Sequence, residues 1–71
     1  MTIHLSRSAA ALDANGEEVR VGDAVRLVSD REHDAVVVRL IGGFWASNVE
    51  IEFPTGHREE AFGADVEKID G

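Results

Sequence analysis

Short alternations of apolar and polar residues, each cut off by a turn signal, run along most of this chain. "EEVRV" (residues 17–21) is long enough for a very short strand, and Gly22-Asp23 turns the chain after it. "AVRLV" (24–28) sets Val25 and Leu27 on one face and Arg26 on the other. "SDREHD" is a polar loop, and "AVVVRLI" (35–41) is the most apolar run, β-branched and too short for an ordinary helix. Strict alternation there sets Val36, Val38 and Leu40 against Val37, Arg39 and Ile41, so this strand reads as covered on both sides for part of its length. "VEIEF" (49–53) points Val49, Ile51 and Phe53 one way and Glu50 and Glu52 the other. Pro54-Thr55-Gly56-His57 is a tight turn, since proline presets φ and glycine accepts φ above zero. "REEAF" returns with Phe62 facing inward, "GAD" makes a 3₁₀ turn, and "VEKI" closes the pattern.

These segments predict an all-β domain of about five short strands, too few for a two-sheet sandwich of the immunoglobulin kind. One small flat sheet would leave an apolar face in water, so the pattern predicts curling into a small, partly open barrel. Ahead of it, "SRSAAALDANG" suits a loose arm or a single helical turn capped by Ser6 or Ser8 and stopped by Asn15-Gly16. The organisation expected is an N-terminal arm and turn over 1–16 and one barrel domain over 17–71.

Composition narrows the function more by exclusion than by signature. Seventy-one residues give one small core, and a deep substrate cleft would consume much of it. No cysteine is present, so neither a disulfide nor a thiolate metal cluster is expected. Fourteen acidic residues against seven basic ones leave a formal charge of −7. A field of that sign repels nucleic acid and anionic membrane. No apolar run reaches the length of a membrane span or a signal-peptide core, so a cytoplasmic address is the default expectation.

The run Val21-Gly22-Asp23-Ala24-Val25, followed by "AVVVRLI", "VEIEFPTGHREEAF" and "ADVEKI", resembles the SH3-like small-barrel superfamily, nearest to KOW and Tudor-type modules. The resemblance covers residues 19–70. It implies a five-stranded SH3-like barrel with Gly22-Asp23 as the opening turn, Pro54-Thr55-Gly56 as the hairpin turn and Gly63-Ala64-Asp65 as the 3₁₀ turn before the last strand. Members of that superfamily bind RNA, bind peptides or serve as assembly modules. The chain departs from the KOW pattern in having Asp34-Ala35 where a glycine precedes the apolar strand. It departs from methyl-reading Tudor modules in having no tyrosine and only four rings, at least two of them expected in the core.

Catalysis finds little support in these residues. Glu50 and Glu52 point from a strand into water, which makes them equivalent rather than an acid and a base. No serine has a base beside it in sequence, and no glycine-rich phosphate loop occurs. His4, His33 and His57 lack ligand spacing and read as solvated loop residues, His33 flanked by Asp30, Glu32 and Asp34. Neither a metal nor a cofactor is expected. Phe44 and Trp45 follow Gly42-Gly43, and adjacent residues of an extended stretch face opposite ways, so one ring is expected outside. The expectation is therefore a non-enzymatic module that binds a protein or peptide through Phe44, Trp45 and an adjacent acidic face of Glu50 and Glu52. An RNA-binding alternative would use Arg26, Arg39 and Arg58 with Trp45, against the sign of the net charge. A third reading is self-association through an exposed strand edge.

Overall fold

The computed structural model describes residues 10–43 and 45–69. It is all β apart from one 3₁₀ turn, with strands β1 (Ala10–Leu12), β2 (Glu18–Val19), β3 (Ala24–Leu27), β4 (Asp30–Ile41), β5 (Trp45–Ala46), β6 (Asn48–Glu52), β7 (Arg58–Phe62) and β8 (Val66–Lys68). The 3₁₀ turn, Gly63–Asp65, separates β7 from β8.

The expected five-stranded SH3-like barrel is not what these strands form. They make two sheets, one of three strands in the order β2-β1-β5 and one of five in the order β7-β6-β4-β3-β8. The larger sheet is antiparallel throughout, and its terminal strands β7 and β8 are not hydrogen-bonded to each other, so it does not close. The physical reason lies in the N-terminal segment. Residues 10–12, expected in a loose arm or a helical turn, are β1, which pairs antiparallel with β2 and parallel with β5. Two strands beyond those expected, β1 and β5, thus join the short strand β2 in a second sheet that supplies the cover curling was expected to provide. The expected caps Ser6 and Ser8 lie outside the described residues.

One core joins the two sheets. Val25, Ala35, Val37, Val49, Ile51 and Val66 of the larger sheet meet Ala11, Val19 and Ala46 of the smaller one. Leu27, Leu40, Phe53 and Ala61 pack around them, partly buried. The largest fully buried side chains are valines and Ile51, not rings. At about 25 cal/mol per Å² of apolar surface, β-branched side chains packed on a pleated surface can carry such a core without an aromatic centre.

Two parity expectations fail for local reasons. Along β4, Val37 pairs with Ile51 but Arg39 pairs with Glu50, so Val38 is an extra residue in a β-bulge. The bulge resets the alternation: Val37 and Leu40 both serve the core, and Arg39 turns outward opposite Glu50. In β7 it is Ala61 that packs inward, while Phe62 is 62% exposed. The turn decides this. Phe53 N–H donates to the His57 carbonyl at 2.8 Å, which sets Arg58 opposite Glu52 and Phe62 opposite Asn48, on the outer face.

The two sheets are also tied by a polar residue. Asp13, 5% exposed, follows β1 and accepts three backbone N–H bonds of 2.8 Å. Asn15 and Glu17 donate to Oδ1, and Lys68 in β8 donates to Oδ2. Ala14 N–H adds a bond to the Val66 carbonyl at 2.8 Å, so the β1–β2 turn runs along the outer edge of β8.

Candidate functional site

Trp45 opens β5, an edge strand of the smaller sheet. Its pairing with Ala10 puts it on the face that carries Leu12, two residues further along β1. Both side chains are about half exposed, Trp45 at 52% and Leu12 at 49%. The approach to β5 is tight. Gly42 takes φ +103°, and a Cβ there would stand 2.7 Å from Ser47 Oγ and 3.2 Å from Ser47 N. Glycine therefore lets the chain double back closely enough to start β5 at once. Phe44, the other ring expected here, lies outside the described residues.

Glu50 and Glu52 lie on the outer face of β6, as the alternation predicted, but neither stands alone. Arg39 Nε is 3.4 Å from Glu50 Oε1, and Arg58 Nε donates to Glu52 Oε1 at 2.8 Å. Arg26 Nε donates to Glu67 Oε1 at 3.0 Å, and Arg31 approaches the same carboxylate at 3.3 Å. The Arg58–Glu52 pair, exposed on both sides, contributes at most about 1 kcal/mol, so its consequence is electrostatic rather than stabilising. On the outer face of the larger sheet Glu50, Glu52 and Glu67 are thus each matched by an arginine.

The same registers bear on the nucleic-acid set. Arg26, Arg39 and Arg58 do share the outer face of the larger sheet, and each is engaged by a glutamate. Trp45 belongs to the other sheet. The expected set of Arg26, Arg39, Arg58 and Trp45 is therefore not brought together on one sheet.

Among the described residues every arginine and lysine is in an ion pair, Arg20 with Glu18 and Lys68 with Asp23 completing the set. The uncompensated negative charge therefore resides on carboxylates elsewhere. Two of these, Glu59 and Asp65, line an open groove of about 600 Å³ together with Glu60. Its apolar lining is Leu27, Val28, Ala61 and Phe62. Nothing in the sequence marked this groove, because Phe62 was expected inside and residues 27–29 are far from 59–65 along the chain. A second groove of about 450 Å³ lies over Val36, Val38, Phe53 and Pro54 and is edged by Asp34 and by Glu52, already held by Arg58.

The histidines do not converge. His33 Nδ1 lies 3.0 Å from Asp30 Oδ2, His57 stacks on Phe53 with ring centroids 6.0 Å apart, and His4 lies outside the described residues. Among the described residues no group of three or more His, Asp or Glu side chains is placed to hold a metal ion.

Comparison with protein-family models, with curated proteins and with solved structures finds no match for this chain.

Proposed function

We propose that this chain is a non-enzymatic protein-interaction module that holds a protein or peptide partner through Trp45 and the neighbouring Leu12. The observation that carries the reading is the half exposure of both side chains on one face of an edge strand pair. A small acidic domain near the lower size limit of stability gains from burying its only tryptophan, and here about half of that surface is left to water. Rings in such positions bury a large area on contact at little entropic cost, and they dominate interface energetics. Glu50 with Arg39 and Glu52 with Arg58 offer a paired-charge surface on the other sheet, suited to orienting a partner rather than attracting one.

The test is affinity capture from native extract with immobilised wild-type protein and with Trp45→Ala. Partner retention should fall by roughly 30-fold, the effect of losing an interface residue worth about 2 kcal/mol. The melting temperature should move by no more than a few degrees, as for other surface substitutions. A collapse of the melting temperature would make Trp45 a structural residue, and unchanged retention would remove it from the interface.

A further inference from the structure

The larger sheet has two edges, and they are treated differently. Outside β8 runs the β1–β2 turn, with Asp13 accepting from Lys68 N–H and Ala14 donating to the Val66 carbonyl. β7, at the opposite edge, pairs with β6 alone. The ladder phase follows from its ends, where Phe53 N–H bonds the His57 carbonyl and Gly63 N–H bonds the Ser47 carbonyl. Antiparallel pairs alternate between bonded and non-bonded. Ile51–Glu59 and Val49–Ala61 are then the bonded pairs, and Arg58, Glu60 and Phe62 aim their N–H and C=O groups away from β6.

The 600 Å³ groove lies against that strand. Four consecutive residues of β7, Glu59 to Phe62, form one wall, and the β3–β4 corner at Leu27, Val28 and Ser29 forms the other. The 3₁₀ turn joins the walls at one end, where Val28 N–H donates to the Asp65 carbonyl at 2.8 Å. The groove thus occupies the gap across which the larger sheet does not close. Its apolar surface includes two of the exposed large hydrophobic residues, Phe62 and Val28. Its charged groups among the described residues are Glu59, Glu60 and Asp65, and no cation among those residues lines it. Glu60 accepts from Asn48 Nδ2 at 3.0 Å, while the side chains of Glu59 and Asp65 have no ion-pair partner among the described residues.

We infer that this groove takes an extended cationic peptide segment, added as a further strand along β7. Backbone groups of Glu60 and Phe62 bond the incoming chain, and its alternate side chains divide between the two faces of the sheet, one beside Glu59 and Ala61 and the other beside Glu60 and Phe62. Apolar side chains of the incoming strand rest against Phe62 on the outer face or against Ala61 on the inner one, with Leu27 and Val28 across the groove. Lysine or arginine side chains meet Glu59, Glu60 and Asp65, for which no cation among the described residues is an ion-pair partner. The same carboxylates argue against a second copy as the occupant, because apposed β7 strands would bring like charges together. This inference concerns a different surface from Trp45 and stands independently of the function proposed above.

The experiment is titration of a blocked heptapeptide alternating leucine and lysine into ¹⁵N-labelled protein, followed by amide chemical shifts. Saturable shifts are expected at Val28, Asn48, Glu60 and Phe62, with Trp45 and Ala46 unmoved. Glu59→Gln combined with Asp65→Asn should weaken binding by about tenfold or more at low salt while leaving the free protein's spectrum folded. N-methylation of alternate peptide bonds, on the edge facing β7, should abolish binding with the charge unchanged. Trp45→Ala should bind the peptide as the wild type does. The inference is overturned if the leucine–glutamate counterpart binds equally, if N-methylation has no effect, if shifts map elsewhere, or if none occur at millimolar peptide. Sedimentation showing a dimer that buries β7 without peptide would overturn it as well.

Discussion

Asp13→Ala is expected to lower the melting temperature by about 15 °C or more, enough to leave much of the protein unfolded at 37 °C. The carboxylate satisfies the N–H groups of Asn15, Glu17 and Lys68 from a site only 5% exposed. Truncation removes the acceptor and leaves the donors, each costing about 1–3 kcal/mol where water cannot replace it. Even if relaxation recovers part of this, a net loss of about 3 kcal/mol is a large share of the roughly 4–10 kcal/mol that a domain of this size holds. Asp13→Asn keeps one acceptor oxygen and should lose less. Thermal denaturation followed by circular dichroism ranks the three proteins; equal melting temperatures would contradict the role given to Asp13.

The same residue predicts an acid response. Burial by itself pushes the Asp13 carboxyl up, and this is the largest single influence. The N–H bonds from Lys68, Glu17 and Asn15, with the positive charge of Lys68, outweigh it and hold the group below its ordinary 3.8. A carboxyl that binds its proton less tightly in the folded state stabilises that state wherever it is ionised. The contribution is complete at neutral pH, begins to fade as pH falls toward 3.8, and is lost on passing through the lower folded value. Measured between pH 6 and pH 2, stability should decline less steeply in Asp13→Asn than in the wild type.

Gly63→Ala is the second large effect, expected to cost about 2–3 kcal/mol. Gly63 is buried, and a Cβ built on it would lie 2.5 Å from the Leu12 carbonyl oxygen, a backbone atom that cannot swing aside. The conflict falls between β1 and the 3₁₀ turn, where Gly63 N–H also bonds the Ser47 carbonyl at 2.9 Å. Relief would require the smaller sheet to shift away from the larger and weaken the Asp13 and Ala14 bonds nearby. Gly43→Ala is the matching control, since nothing lies within 4 Å of a Cβ there. A Gly63→Ala protein that melts with the Gly43→Ala control would contradict the close approach.

What could be read beforehand was local. The Val49–Phe53 alternation, the turns at Asn15-Gly16 and Pro54-Gly56 and the 3₁₀ turn all depend on neighbouring residues, and each recurs in the structure. What escaped depends on partners distant in sequence. "AAL" has helix-forming residues, and only pairing with Val19 and Trp45-Ala46 makes it β1. Missing it removed the second sheet and made a barrel the remaining way to cover an apolar face. The Val38 bulge and the register after His57 each move side chains across the sheet by one residue, a change that alternation alone cannot signal. That is why Phe62 was assigned to the core and the groove beside it went unseen. Trp45 is half exposed, and the arginines that pair with Glu50 and Glu52 became visible only with strand order.

The parallel contact between Ala10–Leu12 and Trp45–Ala46 carries a kinetic consequence. Unlike a hairpin, that pairing closes a loop of more than thirty residues before it gains its first hydrogen bond. The β3–β4 and β6–β7 hairpins can zip locally, so the amino-terminal strand should dock last and its protection from hydrogen exchange should develop after theirs. On the ribosome, Asp13 emerges well ahead of Lys68, and its three donors are not complete until nearly the whole segment has been synthesised.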